Sequence, residues 1–90
     1  MVYALLYNNN FGDREFVKKM IQSIDKITAW RYDMPNSFYI CSQSTAQELT
    51  DIFLLHLQNA INYRFLIIEI SENRQGFLPK DTWNFIKNNS

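Results

Sequence analysis

Residues 2–7 read Val-Tyr-Ala-Leu-Leu-Tyr, and residues 63–70 read Tyr-Arg-Phe-Leu-Ile-Ile-Glu-Ile. Neither stretch alternates into a polar side. Successive side chains of a β-strand point to opposite faces, so Tyr3, Leu5 and Tyr7 oppose Val2, Ala4 and Leu6, and both sets are apolar. A sheet with helices on one face and water on the other alternates apolar with polar residues. These strands therefore belong to a sheet whose second face is also covered. The cover is a second copy of the chain, a different partner, or the chain's own C-terminus.

Working outward, strand one spans about 2–8, and Asn8-Asn9-Asn10-Phe11-Gly12 is a turn cluster. Asp13 caps a helix running to Ile27, with Phe16, Val17, Met20, Ile21, Ile24 and Ile27 at helical spacing. Thr28 to Met34 reads as strand two, with Trp30, Tyr32 and Met34 on one face. Pro35-Asn36 turns the chain into strand three, Ser37–Ser42. Thr45-Ala46-Gln47-Glu48 is a capping-box pattern opening a second helix that runs to Ala60 on Leu49, Ile52, Phe53 and Leu57. Strand four covers 63–71. Gly76-Phe77-Leu78 adds a short fifth strand, and Asp81 caps a last helix, 82–88, anchored by Trp83 and Ile86. The order β-α-β-β-α-β implies an α+β, ferredoxin-like domain over residues 1–90: a four-stranded antiparallel sheet, two helices on one face, and a short C-terminal strand and helix.

The hydrophobic fraction of 47% and aromatic fraction of 16% exclude a disordered chain. Lys plus Arg balance Asp plus Glu at nine each, so there is no global basic surplus for gripping nucleic acid. Cys41 is the only cysteine, which excludes a disulfide framework and a thiolate zinc site; it reads as a small buried hydrophobe. No apolar run is long enough for a membrane span. Met1–Tyr7 lacks the basic start and the length of a signal peptide, so none is expected, and a cytoplasmic setting is expected.

The segments Val2–Asn8, Asn36-Ser37-Phe38-Tyr39-Ile40 and Ser44-Thr45-Ala46-Gln47-Glu48-Leu49 resemble the small ferredoxin-like proteins of CRISPR adaptation, the smaller partner of the integrase. They resemble the SinR-like relatives of those proteins more closely still. Gly76-Phe77 and Phe85-Ile86-Lys87 are similar to that family's tail. The resemblance implies a sheet-to-sheet homodimer in a nucleoprotein setting. In some members an Asp directly after the aromatic that ends strand one meets its copy at the dimer axis and holds a metal for nucleic-acid cleavage. Here that position is Asn8. A neutral amide is a poor ligand for magnesium and cannot act as a general base, so no catalytic residue, metal or cofactor is expected.

What remains is binding. Trp30, Tyr32 and Tyr39, with Tyr7 on strand one, are candidates to stack unpaired RNA bases or to anchor a protein. Arg31 lies between two of them. Arg14, Lys18 and Lys19 place positive charge along helix one, and Asn8 sits beside Tyr7. The expected function is a non-catalytic interaction module, homodimeric, acting on a protein or nucleoprotein complex. Candidate targets are a nucleic-acid enzyme such as an RNA-guided nuclease, or a CRISPR-adaptation-like assembly; RNA is a possible ligand. The rival is an endoribonuclease of the toxin–antitoxin type using Asp13 or His56, although Asp13 reads as a helix cap and His56 as a structural side chain. Asp25, Asp33 and Asp51 read as solvated surface.

Overall fold

The computed structural model describes residues 1–90. The chain runs β1 (Val2–Tyr7), α1 (Arg14–Gln22), β2 (Ile27–Arg31), β3 (Ser37–Ser42), α2 (Ala46–His56), β4 (Phe65–Glu69) and α3 (Lys80–Asn89). It is an α+β architecture, with one four-stranded sheet in the order β2-β3-β1-β4 and three helices. Every strand pair is antiparallel. β1 lies between β3 and β4, opposing Leu5 to Phe38 on one side and to Ile67 on the other.

The odd residues of β1 form the first face. Tyr3, Leu5 and Tyr7 join Phe38 and Ile40 of β3 and Ile67 of β4 in one buried cluster, together with Val17, Met20 and Ile21 of α1 and Leu49 and Phe53 of α2. Each fully buried aliphatic or aromatic side chain here contributes about 1.5–3 kcal/mol. Phe11 reaches into the same cluster from the β1–α1 loop, its ring 5.2 Å from Tyr7, 5.1 Å from Phe65 and 6.0 Å from Phe53. Both helices start on side-chain caps. Asp13 accepts from the Phe16 amide at 2.9 Å; Thr45 and Glu48 form a reciprocal box, with bonds of 3.1 and 2.8 Å.

Several element boundaries differ from the expectation. α1 ends at Gln22, because the Ser23 hydroxyl donates to the Met20 carbonyl and the next turn tightens through Ile24 N–H to Ile21 O. Ile24 and Ile27 are buried all the same, Ile27 as the first residue of β2. Phe16, expected in the buried stripe, is half-exposed. β2 stops at Arg31, leaving Tyr32 to Met34 outside the strand, and a register shift between Ile27 and Ala29 marks a bulge. α2 ends at His56, and β4 covers only 65–69. Gly76–Leu78 forms no strand: residues 70–79 carry no helix or strand. α3 begins at Lys80 with Pro79 at the cap position, so Asp81 lies in its first turn and is not the cap. Proline suits a helix start because its missing N–H would have no partner there.

Candidate interaction surface

The even residues of β1 face away from α1 and α2. α3 covers part of this second face. Ile86 is buried against Val2 and Tyr39, with Trp83, Phe85, Leu78 and Ile70 packed around them. The Cys41 thiol lies 3.6 Å from the Asn89 carbonyl, beneath the end of the helix. A polar latch fixes the other side of α3. The Thr82 hydroxyl, fully buried, accepts from Arg31 Nε at 2.8 Å and donates to Asp33 Oδ2 at 2.5 Å; the Tyr39 hydroxyl donates to Asp33 Oδ1 at 3.3 Å. Burial first, and the neighbouring Asp33 carboxylate second, push the Tyr39 phenol up to about 12. The chain's own C-terminus thus supplies part of the cover that the two-sided strands require.

The cover stops short of β4. Ala4 pairs with Ile68, and Leu6 with Leu66, on the same even-numbered side. Leu66 is 55% exposed, Ile68 52% and Leu6 43%. β4 ends the sheet order, so its outer edge is unpaired. Phe77, in the segment leading to α3, is fully exposed. An apolar strip two strands wide beside an open strand edge fits an apolar or strand-shaped partner.

The candidate binding residues fall into separate places. Arg14, Tyr32 and Trp30 come together: the Arg14 guanidinium lies 4.3 Å over the Tyr32 ring, and Trp30 runs within 6° of parallel to Tyr32 at 6.4 Å. Phe38 packs edge-on beneath both rings, at 6.0 Å from Trp30 and 5.3 Å from Tyr32. This ladder sits against the helix-side core at the β2 end of the sheet and not on the second face. A cation over a ring is attracted by its quadrupole, by about 0.5–1 kcal/mol at an exposed site. Lys18 pairs with Glu15 at 3.3 Å, and Lys19 lies in the last turn of α1. Arg31 belongs to the α3 latch. Tyr7 and Tyr39 are buried in the two clusters; burial raises the Tyr7 phenol, against a lowering by Arg14. These two rings lack the exposure needed to stack a base.

Asn8 is held by its own neighbours. Its Oδ1 accepts from the Phe11 amide at 3.2 Å and the Arg64 amide at 2.9 Å, and its Nδ2 donates to the Asn62 carbonyl at 3.1 Å. The side chain ties the end of β1 to the turn before β4, where Asn62 takes a left-handed φ of 56°. An amide alone serves all three bonds, since a carboxylate cannot donate. His56 lies 3.1 Å through Nδ1 from the Ile52 carbonyl and 3.4 Å through Nε2 from the Ser23 hydroxyl, bridging α2 to the end of α1. Asp13 is occupied as the α1 cap. No group of three or more His, Cys, Asp or Glu side chains is placed to hold a metal ion.

The sequence reading missed the latch made by Thr82 with Asp33. No signal in the sequence marks it, because Thr82 meets Asp33 only through the fold, 49 residues apart along the chain. No helix is long and apolar enough to cross a membrane. Compared with family models, with curated proteins and with solved structures, the chain matches none.

Proposed function

We propose that this chain is a ferredoxin-like, non-catalytic interaction module of the cytoplasm. It works by presenting Ala4, Leu6, Leu66 and Ile68, with the open edge of β4, to a protein or nucleoprotein complex. A second copy is one such partner. The observation that carries the reading is the half-exposed Leu6–Leu66–Ile68 strip, which α3 leaves bare on a sheet otherwise covered on both faces. Exposed apolar strips of this kind mark association sites. The strand order and the sharing of one core by α1, α2 and the odd-numbered side of the sheet support the ferredoxin-like assignment. The resemblance of Val2–Asn8 and Asn36–Leu49 to CRISPR-adaptation and SinR-like proteins supports a nucleic-acid enzyme or its complex as the target. On this reading the protein modulates or inhibits an RNA-guided nuclease, or acts as an adaptation-like accessory. The engagement of Asn8 by three structural bonds favours binding over cleavage.

The test compares wild-type protein with Leu66→Asp as bait against a purified candidate complex. Retention by the wild type and its loss in the variant support the reading. Equal retention by both overturns it. Magnesium- or manganese-dependent cleavage of single-stranded or duplex RNA by the pure protein would replace it with the endoribonuclease reading.

A further inference from the structure

The hydrogen-bond phase of β4 narrows the identity of the partner. In an antiparallel pair, residues alternate between exchanging backbone bonds with the neighbour strand and pointing them away. The Asn8 N–H donates to the Arg64 carbonyl at 3.1 Å and the Ile70 N–H to the Val2 carbonyl at 2.9 Å. Even-numbered residues therefore bond inward to β1. The backbone groups of Phe65, Ile67 and Glu69 point to the free edge.

We infer that the occupant of this edge is a second copy of the chain, pairing antiparallel, β4 to β4, about a two-fold axis through Ile67. The inference rests on the interaction-module reading above and names the partner of that same surface. Pairing edge-facing residues with edge-facing residues about Ile67 aligns all five residues of the strand; a shift of two in either direction loses overlap. Phe65 then exchanges bonds with the partner's Glu69, and Ile67 with the partner's Ile67. Leu66 falls opposite the partner's Ile68 as a pair without backbone bonds, the class in which side chains approach most closely. Both are half-exposed and lie on the face that α3 leaves bare. The strand is self-complementary in two ways at once: its unpaired backbone groups match, and its exposed apolar side chains meet on one side. The formal net charge of zero sets no long-range repulsion between copies. The product is a continuous eight-stranded sheet with Leu6, Leu66 and Ile68 of both copies in one strip. A short edge with few side chains is smaller than a standard interface of roughly 800 Å² per partner, so the dimer is weak and forms only at high protein concentration.

The experiment has two arms. Sedimentation of the wild-type chain up to several hundred micromolar is compared with Glu69→Pro. Proline removes an edge-facing N–H that β1 does not use, the position where an edge strand tolerates it; unchanged circular dichroism confirms the fold. The second arm mixes Leu66→Cys with Ile68→Cys under mild oxidation. A pair without backbone bonds sets Cα atoms about 4.5 Å apart, within disulfide range. The expected results are a concentration-dependent dimer lost in Glu69→Pro, and a covalent dimer far more abundant in the mixture than in either variant alone. A monomer at every concentration, a dimer indifferent to Glu69→Pro, or equal cross-linking in the separate and mixed variants would overturn the inference. A monomer that still retains a foreign complex through Leu66 would overturn the dimer while leaving the interaction-module reading intact.

Discussion

Replacing Asn8 by Asp changes one NH₂ group to an oxygen and little else in shape. The two bonds accepted from Phe11 and Arg64 survive, and the negative charge strengthens them. The third bond reverses sign: an acceptor oxygen now faces the Asn62 carbonyl, where the amide donated across 3.1 Å. Losing that bond and opposing two acceptors costs about 2 kcal/mol, and strengthening the two accepted bonds returns about 1. The expected net loss is about 1 kcal/mol, which lowers the melting temperature of a domain this size by roughly 4–8 °C. Asn8→Ala forfeits all three bonds and should cost more, about 2 kcal/mol. Urea unfolding followed by circular dichroism gives both values from the midpoints, provided the slopes agree. An Asp variant as stable as the wild type would refute the assignment of the amide as a donor that holds the two loops. An Asp variant that gains magnesium-dependent cleavage of RNA would refute the wider argument, by showing that only the carboxylate was missing from a nuclease site.

Thr82→Val removes the hydroxyl between Arg31 and Asp33 without changing the side chain's shape, and should cost about 1–3 kcal/mol in urea unfolding because both partners lose a buried bond. The Tyr39 phenol, raised to about 12, stabilises the fold fully below pH 10; that contribution is lost as pH rises from 10 through 12, where the unfolded chain ionises and the folded one resists. A melting curve from pH 8 to 12 should therefore fall more steeply for the wild type than for Tyr39→Phe, and parallel curves would contradict the burial argument. Gly12 has a φ of +151° with the Phe16 ring against the place of a Cβ, so Gly12→Ala should destabilise by about 1–2 kcal/mol in the same assay.

The strands of the core were readable because Val2–Tyr7 and Phe38–Cys41 are apolar on both sides, and a run this uniform survives an error of one residue. The caps of α1 and α2 were equally plain, since Asp13 and the Thr45–Glu48 box act on amides within their own turn. The β2 faces were not. A bulge near Thr28 lets Ile27 and Trp30, three positions apart, both join the helix-side core, which strict alternation forbids. Phe16 looked buried on spacing alone, yet α1 is short and its first turn lies over the loop at Gly12, outside the core. The grouping of Arg14 with Tyr32 and Trp30, and the separation of Arg31 from them, depended on which side of β2 each residue took. The bond set of Asn8 depended on a turn 54 residues away. Contacts of that range leave no periodic trace in a sequence. The tail followed the same rule: Ile86 was visible as an apolar anchor, while Thr82 revealed nothing until Asp33 stood beside it.

The helix that shields Val2, Tyr39 and Cys41 consists of residues 80–89 and follows every strand along the chain. During synthesis every strand and both other helices leave the ribosome before it does. For that interval the emerging protein shows its whole second face, not only the strip near β4, and it does so with an unpaired strand alongside. Nascent chains in that condition are prone to capture by chaperones or by one another. A substitution that stops α3 from docking, such as Ile86→Asp, should therefore reduce yield through aggregation even though the four-stranded sheet is complete.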